Sequence, residues 1–329
     1  MHSLASQYGL LLIDLKKENL KLLSTITRIV VGVGLILFLL WRLDFDKILS
    51  NIQSLEASYL FYALITYIIF VIVSAWRWQV LLDFKKFIIP FGRTSVLYFI
   101  ALFFNNLLPT TVGGDVMRVV YTMKKRKADA LAIVLVDRIL GFVGLFVFAL
   151  FAVLYLLIVK QQTEFLPFIV IGLVAIVFIT YVFFSERAYS TLAPIVQKIT
   201  VLRVGERLNR LHEAATEFGG AWRPISLCIL HSIIIQALLA LAPFFVLLAM
   251  GNFEVGILPF FIYVPIINVV SMIPISLNAL GVREYFYVLL FARAGVAGET
   301  SLAVSLVSFF LLFLLSLTGG IFFILYRKK

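Results

Sequence analysis

Residues 105–118 read Asn105-Asn106-Leu107-Leu108-Pro109-Thr110-Thr111-Val112-Gly113-Gly114-Asp115-Val116-Met117-Arg118. Residues 271–284 read Ser271-Met272-Ile273-Pro274-Ile275-Ser276-Leu277-Asn278-Ala279-Leu280-Gly281-Val282-Arg283-Glu284. In both, a short apolar segment stops at Pro and an Arg follows nine residues later. Between them lie hydroxyl or amide side chains and glycine, and an acid stands close to the Arg. Backbone freed by such a break cannot face lipid, so it must be buried in protein or line a wet cavity.

That reading requires a membrane, and the composition supplies one. Of 329 residues, 63% are hydrophobic and 14% charged, with a mean hydropathy of +1.09; soluble domains run at about 45–50% apolar and 25% charged. One Cys and three scattered His (His2, His212, His231) argue against a disulfide framework and a metal cluster, so no metal or cofactor is expected. The net charge of +11 sits in short clusters between apolar runs, as cytoplasmic loops do, and not on one polar face as nucleic-acid binding requires.

Apolar runs long enough to cross a bilayer lie at about 22–41, 59–82, 131–159, 165–184, 224–250 and 302–326. The run at 94–108 is too short, and 257–273 and 285–294 are short pieces around Pro274. Trp76-Arg77-Trp78 reads as an interfacial anchor. Residues 185–222 are polar, with Leu192, Ile195, Val196 and Ile199, then Leu208, Leu211, Ala215 and Phe218, at helical spacing; this predicts an amphipathic cytoplasmic connector lying on the membrane surface.

Charge sets the topology. A cytoplasmic N-terminus (Lys16, Lys17, Lys21, Arg28) places the loop with Lys85, Lys86 and Arg93 inside, and the run Arg118, Lys124–Lys127 belongs inside too. Only the broken segment separates those two clusters, so it predicts a re-entrant hairpin entered from the cytoplasm. The second broken segment follows an outward span and would enter from outside; parity leaves open whether it is re-entrant or crosses twice. The expected fold is therefore an all-α integral membrane protein: a single transmembrane domain over 1–329, a polytopic bundle whose halves at about 57–160 and 222–326 form an inverted repeat. Both termini would be cytoplasmic, in the cell inner membrane.

Paired broken helices in such a repeat build substrate sites near the midplane. Half-helix N-termini suit anions, and Arg118 and Arg283 add fork-shaped donors for phosphate oxygens. Gly113, Gly114 and Gly281 permit close backbone approach. Asn105, Asn106, Thr110, Thr111, Ser276 and Asn278 add polar groups, and Asp115 and Glu284 can order the arginines. Asp137 and Arg138 lie inside a span, where charges face the bundle interior. Asp137 shares a helix face with Gly141 and Gly144, which predicts packing on the first hairpin and a contact with Arg118. Ser301, Ser305, Ser308, Ser316 and Gly319 suggest helix packing, and His231, Cys228, Ser232 and Gln236 suggest a hydrogen-bonded interior.

The two broken stretches, with Val136-Asp137-Arg138, resemble the lysylphosphatidylglycerol synthase transmembrane region family, the UPF0104 group that includes the flippase half of the multiple peptide resistance factor. Ala279 stands where many relatives carry glycine. The resemblance implies the translocating part: aminoacylating members carry a large soluble transferase domain after the membrane region, and with the sequence stopping at Lys329 lipid aminoacylation is not expected. The leading expectation is a non-enzymatic bacterial inner-membrane translocase. Its cargo would be a phospholipid, aminoacyl-phospholipid or polyprenyl-phosphate-linked lipid, so its partners are lipids with anionic head groups. Alternatives are an accessory subunit for a partner synthase and a membrane transferase using Asp115, Asp137 or Glu284; a homodimer is left open. The sequence holds no nucleotide-binding phosphate loop.

Overall fold

The computed structural model describes residues 25–107, 113–123, 126–188, 190–191, 212–273 and 275–327, and every regular element among them is helical. The order is α1 (Thr25–Arg42), α2 (Phe45–Gln53), α3 (Ala57–Phe84), α4 (Phe91–Leu107), α5 (Gly113–Thr122) and α6 (Lys127–Lys160). It continues with α7 (Leu166–Phe184), α8 (Trp222–Ala249), α9 (Leu258–Ser271), α10 (Val282–Phe291) and α11 (Gly298–Arg327). Helices α1, α3, α6, α7, α8 and α11 are long and apolar enough to cross a membrane. The chain is an all-α polytopic membrane protein. Helix α2 was not anticipated; Asp44 starts it by accepting the N–H groups of Asp46 and Lys47 at 3.1 and 3.3 Å.

The remaining helices are too short to span. At 1.5 Å per residue, α4 reaches about 26 Å, α9 about 21 Å, and α5 and α10 about 15 Å each, against about 30 Å of hydrocarbon. They pair as two hairpins. Arg93 at the start of α4 and Tyr121 at the end of α5 both lie 5.3 Å from the Tyr326 ring. Phe260 near the start of α9 meets Phe291 at the end of α10, with ring centroids 4.6 Å apart. The segment around Pro274 is thus a hairpin and not two crossings.

The bases of the hairpins lie at opposite ends of α11. Tyr326 is in its last turn, whereas Gly298 in its first turn packs beside Val288 of α10, and Val296 donates to the Phe291 carbonyl at 3.1 Å. Helix lengths also correspond between the halves: 28 and 28 residues for α3 and α8, 17 and 14 for α4 and α9, 10 and 10 for α5 and α10, 34 and 30 for α6 and α11. The pairings match too. Helix α4 packs on α11 as α9 packs on α6, and α3 packs extensively on α8.

Most of the expected connector, 192–211 with Leu208 and Leu211, lies outside the described residues. Its described end corrects the surface reading: Ala215 and Phe218 are fully buried in protein, with the Phe218 ring tilted against that of Phe84 at 4.8 Å between centroids. Buried Lys85 fixes that end, pairing with Glu217 at 2.7 Å and Asp129 at 3.3 Å. A helix face that finds a protein groove no longer needs lipid.

Candidate functional site

A chain of paired charges ties the first hairpin to α3 and α6. Asp137 of α6 is almost fully buried and accepts Arg77 Nε of α3 on Oδ1 at 2.7 Å and Arg118 Nη1 of α5 on Oδ2 at 2.7 Å. Arg118 Nη2 donates to Asp115 Oδ1 at 2.6 Å, and Arg138 Nε meets Asp115 Oδ2. Arg77 also donates to Ser232 Oγ of α8 at 3.0 Å. The Arg118 guanidinium lies 5.3 Å from the Trp78 ring and 5.4 Å from the Tyr98 ring. Three guanidiniums thus share two carboxylates, and all four carboxylate oxygens are engaged. Such pairing is the condition for holding charges at membrane depth.

The expected contact of Asp137 with Arg118 is present, but its setting differs. Gly141 faces Arg77 of α3 and Gly144 faces Ser232 of α8, so that face of α6 packs on the spans and not on the hairpin. Arg77 is the residue the sequence reading missed. It is not an interfacial anchor: it is buried, and turns inward to Asp137 because the carboxylate lies within reach of a guanidinium that would otherwise have to snorkel. Its one visible signal is its place inside a 28-residue span.

The second hairpin carries a smaller set. Glu284 of α10 is fully buried; Oε2 accepts the Gly281 N–H at 2.6 Å, and Oε1 accepts Ser305 Oγ of α11 at 3.2 Å and Arg283 Nε at 2.9 Å. Arg283 lies 4.6 Å from the Phe309 ring, and Tyr67 of α3 faces Ser308 and Arg283. The tip is made by left-handed backbone at Asn278 (φ 48°), Ala279 (φ 58°) and Gly281 (φ 82°). Gly281 is required twice over, since a Cβ there would also stand 2.4 Å from the Gly32 carbonyl of α1. Ser305 therefore does more than pack helices.

Equal Pro-to-Arg spacing does not make Arg118 and Arg283 structural equivalents. Arg118 is the sixth residue of α5 and Arg283 the second of α10; the residues in register are the acids Asp115 and Glu284, each third in its helix. Helix starts fix the frame, and the two breaks differ in length. Of the other candidates, Asn105 Oδ1 accepts the Gly114 N–H at 2.8 Å, and Gly113 and Gly114 are buried at the start of α5. Asn106 Nδ2, Ser271 Oγ, Ser276 Oγ and Asn278 Oδ1 are buried without protein partners. Thr110 and Thr111 lie outside the described residues.

The structure thus gathers Asp115, Arg118, Asp137 and Arg138 in one group and Gly281, Arg283 and Glu284 in another. It does not merge them. On α3 the groups touch Tyr67 and Arg77, ten residues or about 15 Å apart. Between these, Val71 is buried with Ala242 and Leu315, and Phe99, Leu102 and Leu311 pack around them.

This arrangement can be compared with known proteins. The model of the lysylphosphatidylglycerol synthase TM region matches residues 25–320. The chain belongs to that family. Among similar proteins, a UPF0104 membrane protein of Pyrococcus horikoshii is 27% identical, covering 91% of this chain and 96% of its own. A UPF0104 membrane protein of Methanothermobacter thermautotrophicus is 24% identical, covering 89% and 90%. One from Methanocaldococcus jannaschii is 24% identical over 43% of each chain. No solved structure matches. The family match spans both hairpins, five of the long helices and α11 as far as residue 320, so both charge groups lie within the family region.

Proposed function

We propose that this chain is a lipid translocase, moving a phospholipid, aminoacyl-phospholipid or polyprenyl-phosphate-linked lipid between leaflets. The observation that carries this reading is a pair of polar groups on two short hairpins rooted at opposite ends of α11, kept apart by a packed apolar layer on α3. A carrier needs that arrangement: one site reachable from each side, and a barrier that excludes both from opening together. The matched helix lengths and pairings of residues 57–160 and 222–326 support treating them as inverted repeats whose relative motion exchanges access. Basic loops flanking the spans support a cytoplasmic-membrane location with both termini inside.

The engaged carboxylates favour transport over a transferase. Asp115, Asp137 and Glu284 already accept from arginines, so their oxygens are turned to protein donors and not to a substrate. The direct test is reconstitution in vesicles bearing head-group-labelled phospholipid, with a membrane-impermeant quencher outside. Wild-type protein is expected to expose the inner-leaflet label, and Arg283→Ala to slow it at least tenfold. Label that stays protected as in protein-free vesicles, for every lipid class tried, refutes the proposal.

A further inference from the structure

We infer that α1 is a lateral gate: the head group of the cargo lipid enters the second group through the seam between α1 and the tip of the second hairpin. The inference rests on the translocase reading above and deepens it by naming the route. Helix α1 lies outside both sets of matched helices, α3–α6 and α8–α11. Among residues 25–42 only Gly32 and Leu39 are buried. Leu39 sits in a small apolar cluster with Ile48 of α2 and with Leu302 and Ala303 of α11. Gly32, seven residues or about 10 Å away along the helix, lies against the hairpin tip. A Cβ at Gly32 would stand 3.0 Å from the Leu280 carbonyl oxygen and 3.4 Å from Ser276 Cβ. Elsewhere α1 carries exposed apolar side chains, among them Ile29, Val30, Val33 and Leu37.

What the seam covers is polar. Ser276 is only 5% exposed and meets α1 at Gly32, and its Oγ has no partner among the described residues; Asn278 Oδ1, two residues on, has none either. Gly281, against the Gly32 carbonyl, precedes α10, whose second residue is Arg283 with its side chain 20% accessible. Unpartnered polar groups at membrane depth must be covered by protein or meet a ligand. Here the cover is one helix buried at two points, and at the tip the approach is made mainly by backbone. A contact of so few atoms parts and re-forms at small cost. Leu39 serves as the pivot, Gly32 leaves the tip, and a head group arriving from the bilayer meets a hydroxyl, an amide oxygen and a guanidinium. That set accommodates phosphate, hydroxyl and ammonium groups, so the seam sets the route of the cargo and not its charge.

Two opposite perturbations test the gate in the full chain carrying Cys228→Ser, which removes the one native thiol. Leu35 lies against Gly281, so Leu35→Cys with Leu280→Cys, joined by a short reducible bifunctional thiol reagent, ties α1 to the tip. Joining them is expected to slow transport of head-group-labelled phospholipid in vesicles at least tenfold, with recovery on reduction. Joining Leu39→Cys to Leu302→Cys at the pivot should leave the rate within twofold. Gly32→Leu wedges the seam open, and Gly34→Leu, whose side chain enters open space, is its control. With Ser276→Cys added to each, Gly32→Leu should speed labelling by a membrane-permeant maleimide at least fivefold over Gly34→Leu. Unslowed transport by the Leu35–Leu280 linked protein overturns the gate and leaves the translocase reading standing. Unlinked protein that moves no lipid refutes the translocase reading, and equal labelling of the two glycine variants overturns the gate in either case.

Discussion

Asp137 is the residue on which the first charge group turns, and Asp137→Asn tests the geometry directly. The carboxylate lies 2.7 Å from both Arg77 Nε and Arg118 Nη1. An amide keeps one acceptor oxygen, and its NH2 must face the other guanidinium, donor against donor. Arg118 retains Asp115, whereas among the described residues Arg77 retains Ser232 alone. Removing one partner of a buried ion pair costs about 3–5 kcal/mol, because a charge is left buried without compensation. At about 2 °C per kcal/mol, the lower end for large chains, Asp137→Asn should lower Tm by about 6–10 °C. The double variant Arg77→Met, Asp137→Leu removes the opposed charges together and should recover much of that loss, because Arg118 still pairs with Asp115. Thermal unfolding of wild type, Arg77→Met, Asp137→Leu and the double variant, with Asp137→Asn beside them, followed by fluorescence in one detergent, provides the measurement. A single variant within about 1 kcal/mol of wild type, or a double variant that loses the sum of its parts, refutes the reasoning.

Two further outcomes follow from backbone and topology. Ala279 holds φ 58°, so Ala279→Gly should stabilise the chain by about 0.5–1 kcal/mol, whereas Gly281→Ala, at φ 82° and against the Gly32 carbonyl, should cost about 2 kcal/mol or more; equal Tm values for the pair would contradict the tip geometry. Exposed Thr163 and Ser190 flank α7, so cysteines there should react with an impermeant maleimide from opposite faces of oriented membranes, while buried Cys228 stays unmodified. Labelling of both positions from one face would show that α7 does not cross.

Hydropathy and charge carried much of the fold. The six long spans lie within a few residues of where apolar runs place them, since about 30 Å of hydrocarbon admits only a long helix. The first hairpin was legible because one short run separates two basic clusters. The second was not, because parity is the same for a hairpin and for two crossings; the lengths of α9 and α10, 14 and 10 residues, are too short for two crossings. In the candidate site, Asp137 and Arg118 could be paired from sequence, since an acid inside a span demands a cation. Arg77 could not: a basic residue near a span's end satisfies the snorkelling rule equally well, and only the rotation of α3 against α6 turns it inward.

From its amino acids alone, then, this chain is committed to a membrane, to six helices long and apolar enough to cross it, and to two breaks rich in glycine, amides and arginine. Those follow from local quantities, the length of apolar runs and the sign of the loops between them. Which arginine meets which acid, the register that aligns Asp115 with Glu284, and the apolar layer around Val71 are decided by the tertiary structure. Each depends on how whole helices rotate and slide against one another, and that is set by the packing of all their faces together.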